Sequence, residues 1–154
     1  MLRYTEAGLS YLEVPEEISL CIYISGCRNN CPHCHYPELK LFDFGHPLKN
    51  NFNLLIDVYS SQISCVCFLG EGQNTQQEHE EFFYFTECTN LAGLKTCLYS
   101  GRNIFPEDWM KIFDYVKTGS YAKHMGALFS PKTNQRFYLK RNNIFEDVTK
   151  KFWK

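Results

Sequence analysis

The chain has 154 residues and a net charge of −1, enough for one domain with a buried core. The near-neutral charge argues against a broad nucleic-acid surface, and no apolar run approaches the length of a membrane span. Met1 to Glu17 mixes Arg3, Glu6, Glu13, Glu16 and Glu17 with apolar residues and lacks the pattern of a secretory signal, so a single domain over 1–154, cytoplasmic and without membrane or nucleic-acid partners, is expected.

In chain order, Ile18 to Ile24 alternates, with Ile18, Leu20, Ile22 and Ile24 on one face, and reads as a strand. The segment from Cys27 to His35 is a polar loop carrying Cys27, Cys31 and Cys34. Leu48 to Gln62 has a helical face of Phe52, Leu55, Ile56 and Tyr59. Ile63 to Leu69 is nearly all apolar, as in a strand covered on both faces. Asn74 to Leu91 reads as a helix with Asn74 as its cap and Gly93 as its stop. Weaker strands are expected at Leu94 to Tyr99 and Tyr115 to Lys117, with a helix from Pro106 to Phe113 between them. Arg136 to Lys140 is a late strand.

Strand and helix thus alternate as in parallel α/β structure. A closed eight-fold barrel needs about 250 residues, so the expected fold is a single-domain, partial and open β/α barrel with a mainly parallel sheet. In such folds ligands meet the C-terminal ends of strands. Gly26, Gly70-Glu71-Gly72, Ser100-Gly101 and Thr118-Gly119 each follow a predicted strand and should gather at one rim.

Eight cysteines without a secretory signal suggest metal binding or buried thiols rather than disulfides. Cys27, Cys31 and Cys34 have the spacing C-x3-C-x2-C. Three soft thiolates on a short loop suit a 4Fe–4S cluster and leave one iron with an open position. A zinc site completed by His33 or His35 is the bland alternative. Cys65 and Cys67 lie two apart on a strand and share a face, as buried free thiols would; a second cluster with Cys88 and Cys97 is the rival reading. His79, in an acidic helix start, is expected to be solvated. The run Phe82 to Phe85 is expected to serve the core, and Phe152-Trp153 either packs on the body or faces a partner.

The cysteine spacing after a first strand resembles the radical S-adenosylmethionine superfamily. Cys31-Pro32-His33-Cys34-His35, Cys65 to Gly70, Leu98 to Gly101, Asp114 to Gly119, Thr133 to Arg136 and Lys151 to Lys154 together resemble anaerobic ribonucleoside-triphosphate reductase activating proteins. The resemblance implies a barrel of the radical S-adenosylmethionine type. It also implies that Cys27, Cys31 and Cys34 hold one 4Fe–4S cluster whose fourth iron chelates S-adenosyl-L-methionine. Reductive cleavage would give methionine and a 5′-deoxyadenosyl radical, which generates a glycyl radical on the reductase large subunit. An electron donor such as a flavodoxin is implied as well. By the same resemblance His33, His35, Gly70, Glu71, Gly72, Ser100, Lys117, Asn134 and Arg136 are candidate cofactor contacts. The alternatives are a radical S-adenosylmethionine enzyme with a small-molecule substrate, and a zinc-binding interaction module.

Overall fold

A computed structural model describes residues 1–26 and 45–153. Cys27, Cys31, His33, Cys34 and His35 lie outside the described residues.

Apolar alternation builds the centre of the sheet. Strands β2 (Ser19–Ile24), β4 (Cys65–Leu69), β5 (Lys95–Tyr99) and β6 (Tyr115–Thr118) run parallel side by side. Their outer neighbours run the other way. Strand β1 (Arg3–Ser10) lies antiparallel on β2, and the short β3 (His46–Pro47) lies antiparallel on β1. On the far side β7 (Arg136–Arg141) and β8 (Ile144–Asp147) add an antiparallel hairpin to β6. The order is β3-β1-β2-β4-β5-β6-β7-β8.

This corrects the expected partial barrel: the described residues form an open mixed sheet of eight strands, of which the middle four run parallel. A β/α barrel grows by adding a parallel strand through each crossover helix. Here antiparallel strands occupy both edges of the parallel core. The β5–β6 connection carries only a short 3-10 helix, Asp108–Ile112, where a full helix was expected over Pro106 to Phe113. The β6–β7 connection has no helix.

Both α-helices among the described residues cover one face. Helix α1 (Leu48–Tyr59) buries Leu48, Phe52 and Ile56 at four-residue spacing, and α2 (Gln76–Leu91) buries Glu78, Phe82, Phe85, Thr86 and Thr89. Phe52 and Phe85 meet with ring centroids 4.5 Å apart, and Phe82 stands edge-on to Phe68 at 5.3 Å. Of the aromatic run, Phe83 and Tyr84 are exposed. The cap of α2 is Thr75 rather than Asn74: Thr75 Oγ1 accepts from the Glu78 amide at 3.2 Å, while Asn74 takes a left-handed φ of 59° before it. Helix α2 ends as expected at Gly93, with the Leu94 and Gly93 amides donating to the Thr89 and Asn90 carbonyls.

Among the described residues the opposite face carries no α-helix. Cys21, Cys65, Cys67, Cys97, Tyr115 and Phe137 form its buried layer, with Val14 and Leu128 from the covering loops. Cys21, Cys67 and Cys97 are direct neighbours across β2, β4 and β5. Phe152 packs back on Phe137 at 5.1 Å, and Trp153 Nε1 donates to the Leu128 carbonyl at 2.9 Å.

Candidate functional site

Parallel pairing aligns the ends of the four central strands. Tyr23 pairs with Leu69, Leu69 with Tyr99, and Tyr99 with Lys117. The residues that follow, Ser25-Gly26, Gly70-Glu71-Gly72, Ser100 and Gly119, therefore share one rim. Gly70 and Gly72 have φ of 123° and 66°. A Cβ at Gly70 would stand 3.1 Å from the Ile24 carbonyl oxygen, so the β4 turn passes close to the end of β2 only because it has no side chain there.

Glu71 is buried at this rim, and both of its carboxylate oxygens are engaged. Ser100 Oγ donates to Oε2 at 2.6 Å. Arg102 closes on the same carboxylate from Nε at 3.0 Å and from Nη2 at 2.6 Å. The guanidinium also bonds Glu107, at 3.2 Å from Nη1 and 2.7 Å from Nη2. Trp109 Nε1 donates to Glu107 at 2.9 Å, and the His79 ring stacks on Trp109 at 3.8 Å. His79 Nε2 contacts Asn74 Oδ1. His79 is thus part of a half-buried network rather than a solvated side chain.

Charge pairing explains the proton affinities here. Bonds to Glu71 and Glu107 push the Arg102 pKa up. The Arg102 guanidinium holds the Glu107 carboxyl below its ordinary value. Burial lowers the His79 pKa. Among the described residues one cation faces two carboxylates here, a balance that favours a further positive group.

Lys117 occupies the helix-free side of the same strand ends. Its Nζ donates to the Gly119 carbonyl at 2.7 Å and the Ser100 carbonyl at 3.4 Å, and stands 5.4 Å from the Tyr99 ring centre. Ser100 joins the two sides, its hydroxyl on Glu71 and its carbonyl toward Lys117. Asn134 donates from Nδ2 to the Ser120 carbonyl at 3.0 Å and to Asn103 at 3.2 Å, while its buried Oδ1 has no partner among the described residues. Arg136 starts β7 opposite Thr118 but its guanidinium pairs with Asp147 at 3.5 Å, toward the β7–β8 hairpin.

Sequence reasoning missed Arg102, Glu107 and Trp109. The only signal was their place just after a glycine-bearing strand end. Four of the scattered cysteines are also clarified. Cys65, Cys67 and Cys97 lie on the helix-free face, whereas Cys88 packs against the core on the helical face. The sheet separates that set, and among the described residues no group of three His, Cys, Asp or Glu side chains is arranged to hold a metal. Burial pushes Cys67 up and raises Cys97 to about 11, which keeps both as neutral thiols.

Among the described residues no helix is long and apolar enough to cross a membrane. No family model, no curated protein and no solved structure matches the chain.

Proposed function

We propose that the chain is a cytoplasmic iron–sulfur activase that cleaves S-adenosylmethionine reductively and installs a glycyl radical on an anaerobic ribonucleotide reductase. The observation that carries this reading is the C-x3-C-x2-C spacing of Cys27, Cys31 and Cys34, which begins directly after the Ser25-Gly26 turn at the end of β2. The reading does not require a barrel. It requires only a parallel strand whose C-terminal end faces the same rim as the other ligand-bearing turns.

The described part of the rim suits a zwitterionic ligand in two respects. Among the described residues the buried Asn134 Oδ1 lacks a donor that an ammonium or hydroxyl group would supply. Lys117 supplies positive charge for a carboxylate. When bound, a 4Fe–4S cluster on three cysteines would supply the electron and the open iron site. The chain's own residues orient and enclose. Arg102 and Ser100 fix Glu71 and with it the turn, and Tyr99 and Lys117 form the wall on the helix-free side. His33 and His35 remain proposed contacts from the sequence, and Arg136 would have to leave Asp147 to take part.

The test is to mix the reconstituted protein anaerobically with the large subunit of such a reductase, a reduced flavodoxin and S-adenosylmethionine. A glycyl signal in electron paramagnetic resonance is expected. Its absence, with the cluster intact and S-adenosylmethionine consumed, would remove the partner and leave only the cleavage chemistry.

A further inference from the structure

A closed circuit of contacts surrounds the turn after β4. Glu71 is held by Arg102, Arg102 by Glu107, and Glu107 by Trp109. The Trp109 indole lies against the His79 ring, the two planes 11° from parallel. His79 Nε2 meets Asn74 Oδ1, and the Asn74 amide donates to the Glu71 carbonyl at 3.3 Å, which closes the circuit. Asn74 has a φ of 59°, a left-handed conformation that its side-chain bond to His79 helps to hold. His79 is the link in this circuit whose charge changes near neutral pH.

The arrangement suits a neutral imidazole better than a charged one. Asn74 Oδ1 is an acceptor, so Nε2 carries the proton of the neutral ring and Nδ1 carries none. Protonation adds a second donor at Nδ1. The charged groups facing the ring are Glu78 on its own helix, Glu71 in the turn, and Arg102 and Glu107 from the β5–β6 connection. The three carboxylates are already engaged: Glu71 by Ser100 and Arg102, Glu107 by Arg102 and Trp109, and Glu78 by the Gln73 amide at 2.7 Å. Arg102 has the same charge as an imidazolium. On the 3-10 helix that carries Trp109, Asp108 and Lys111 pair with each other at 3.4 Å. Burial outweighs the pull of the carboxylates and lowers the His79 pKa. A proton therefore favours a ring turned out to water, away from Trp109 and Asn74.

We propose that His79 is a proton-operated latch on the Glu71–Asn74 turn: neutral, it holds the turn through Asn74 and Trp109, and protonated, it lets the turn go. The latch stands whether or not the cysteine segment carries a cluster, and it is read without S-adenosylmethionine, so its failure and that of the proposed activity are separate results. In Trp153→Phe, Trp109 is the only indole. Acrylamide quenching of its fluorescence should rise about twofold as pH falls from about 7.5 to about 5. Deuterium exchange at the amides of residues 71–74, corrected for the intrinsic effect of pH, should quicken over the same interval. His79→Phe, which keeps a ring on Trp109 but takes up no proton, should flatten both profiles. In the unsubstituted chain the His79 ring protons, followed by NMR, should titrate with the midpoint of the turn amides, a comparison that needs no variant to fold. An indole whose quenching ignores pH, an undiminished response in His79→Phe, or turn amides that stay constant while His79 titrates would each overturn the proposal.

Discussion

Arg102 grips Glu71 through two nitrogens, at 2.6 and 3.0 Å, and so ties the turn after β4 to the loop after β5. The pair is asymmetric: the Glu71 side chain is 5% exposed and that of Arg102 is 27% exposed. Removing the arginine strands a buried carboxylate, whereas removing Glu107 on the outer side leaves the inner pair intact.

Arg102→Ala should therefore destabilise the fold by about 2 kcal/mol, below the usual cost of breaking a fully buried pair because Arg102 is partly solvated. Glu107→Gln should cost less than about 1 kcal/mol. Urea unfolding of the two variants measures both. A cost for Glu107→Gln as large as that for Arg102→Ala would show that the outer contact carries the clamp.

His79 gives the stability a pH dependence. Burial holds its folded pKa below the ordinary 6.5, so the unfolded chain takes up the proton first as pH falls. The His79 contribution is complete above pH 6.5 and is lost as pH drops toward the folded value. Glu107 acts in the same direction at lower pH, because its folded pKa is also depressed, in this case by Arg102. Melting temperature should decline from about pH 6.5 downward, and His79→Phe, which keeps a ring on Trp109, should flatten the upper part of that decline.

The turn glycines are held by sterics. Gly119→Ala places a Cβ 2.9 Å from the Gln135 Cα at a φ of 106°, and should cost about 1–3 kcal/mol in thermal or urea unfolding. Gly93→Ala meets no neighbouring atom and carries only the penalty of its left-handed φ, about 1 kcal/mol.

The thiols should divide by face and burial. With iodoacetamide at pH 8, followed by mass spectrometry, partly exposed Cys88 should be alkylated in the folded protein. Cys65, Cys67 and Cys97 should react only on unfolding, since burial keeps them protonated. Rapid alkylation of Cys67 would mean that the helix-free face opens in solution.

Much of the central sheet was legible because its strands are short apolar runs separated by glycine turns, and α1 shows its buried face directly in Phe52 and Ile56. The edges were not. Strand β1 carries Arg3, Thr5 and Glu6 on a half-exposed edge, and a bulge between Tyr4 and Ala7 breaks its alternation. Strand β8 buries only Phe145. One signal was available there: Asn142-Asn143, both with positive φ, form the two-residue turn that pairs β7 with β8, and such a turn forces an antiparallel edge. At the rim, glycine positions were readable from strand ends. The bond between Glu71 and Arg102 was not, because nothing in a local pattern tells a carboxylate which distant cation it will meet. The row of Cys21, Cys67 and Cys97 depends likewise on register between strands.

The most direct measurement is anaerobic reconstitution with iron and sulfide, followed by reduction in the presence of S-adenosylmethionine and assay for 5′-deoxyadenosine. The account predicts about four irons per chain, product formation, and loss of both in Cys34→Ala. A colourless protein that retains zinc, or a full cluster that leaves S-adenosylmethionine intact, would contradict it.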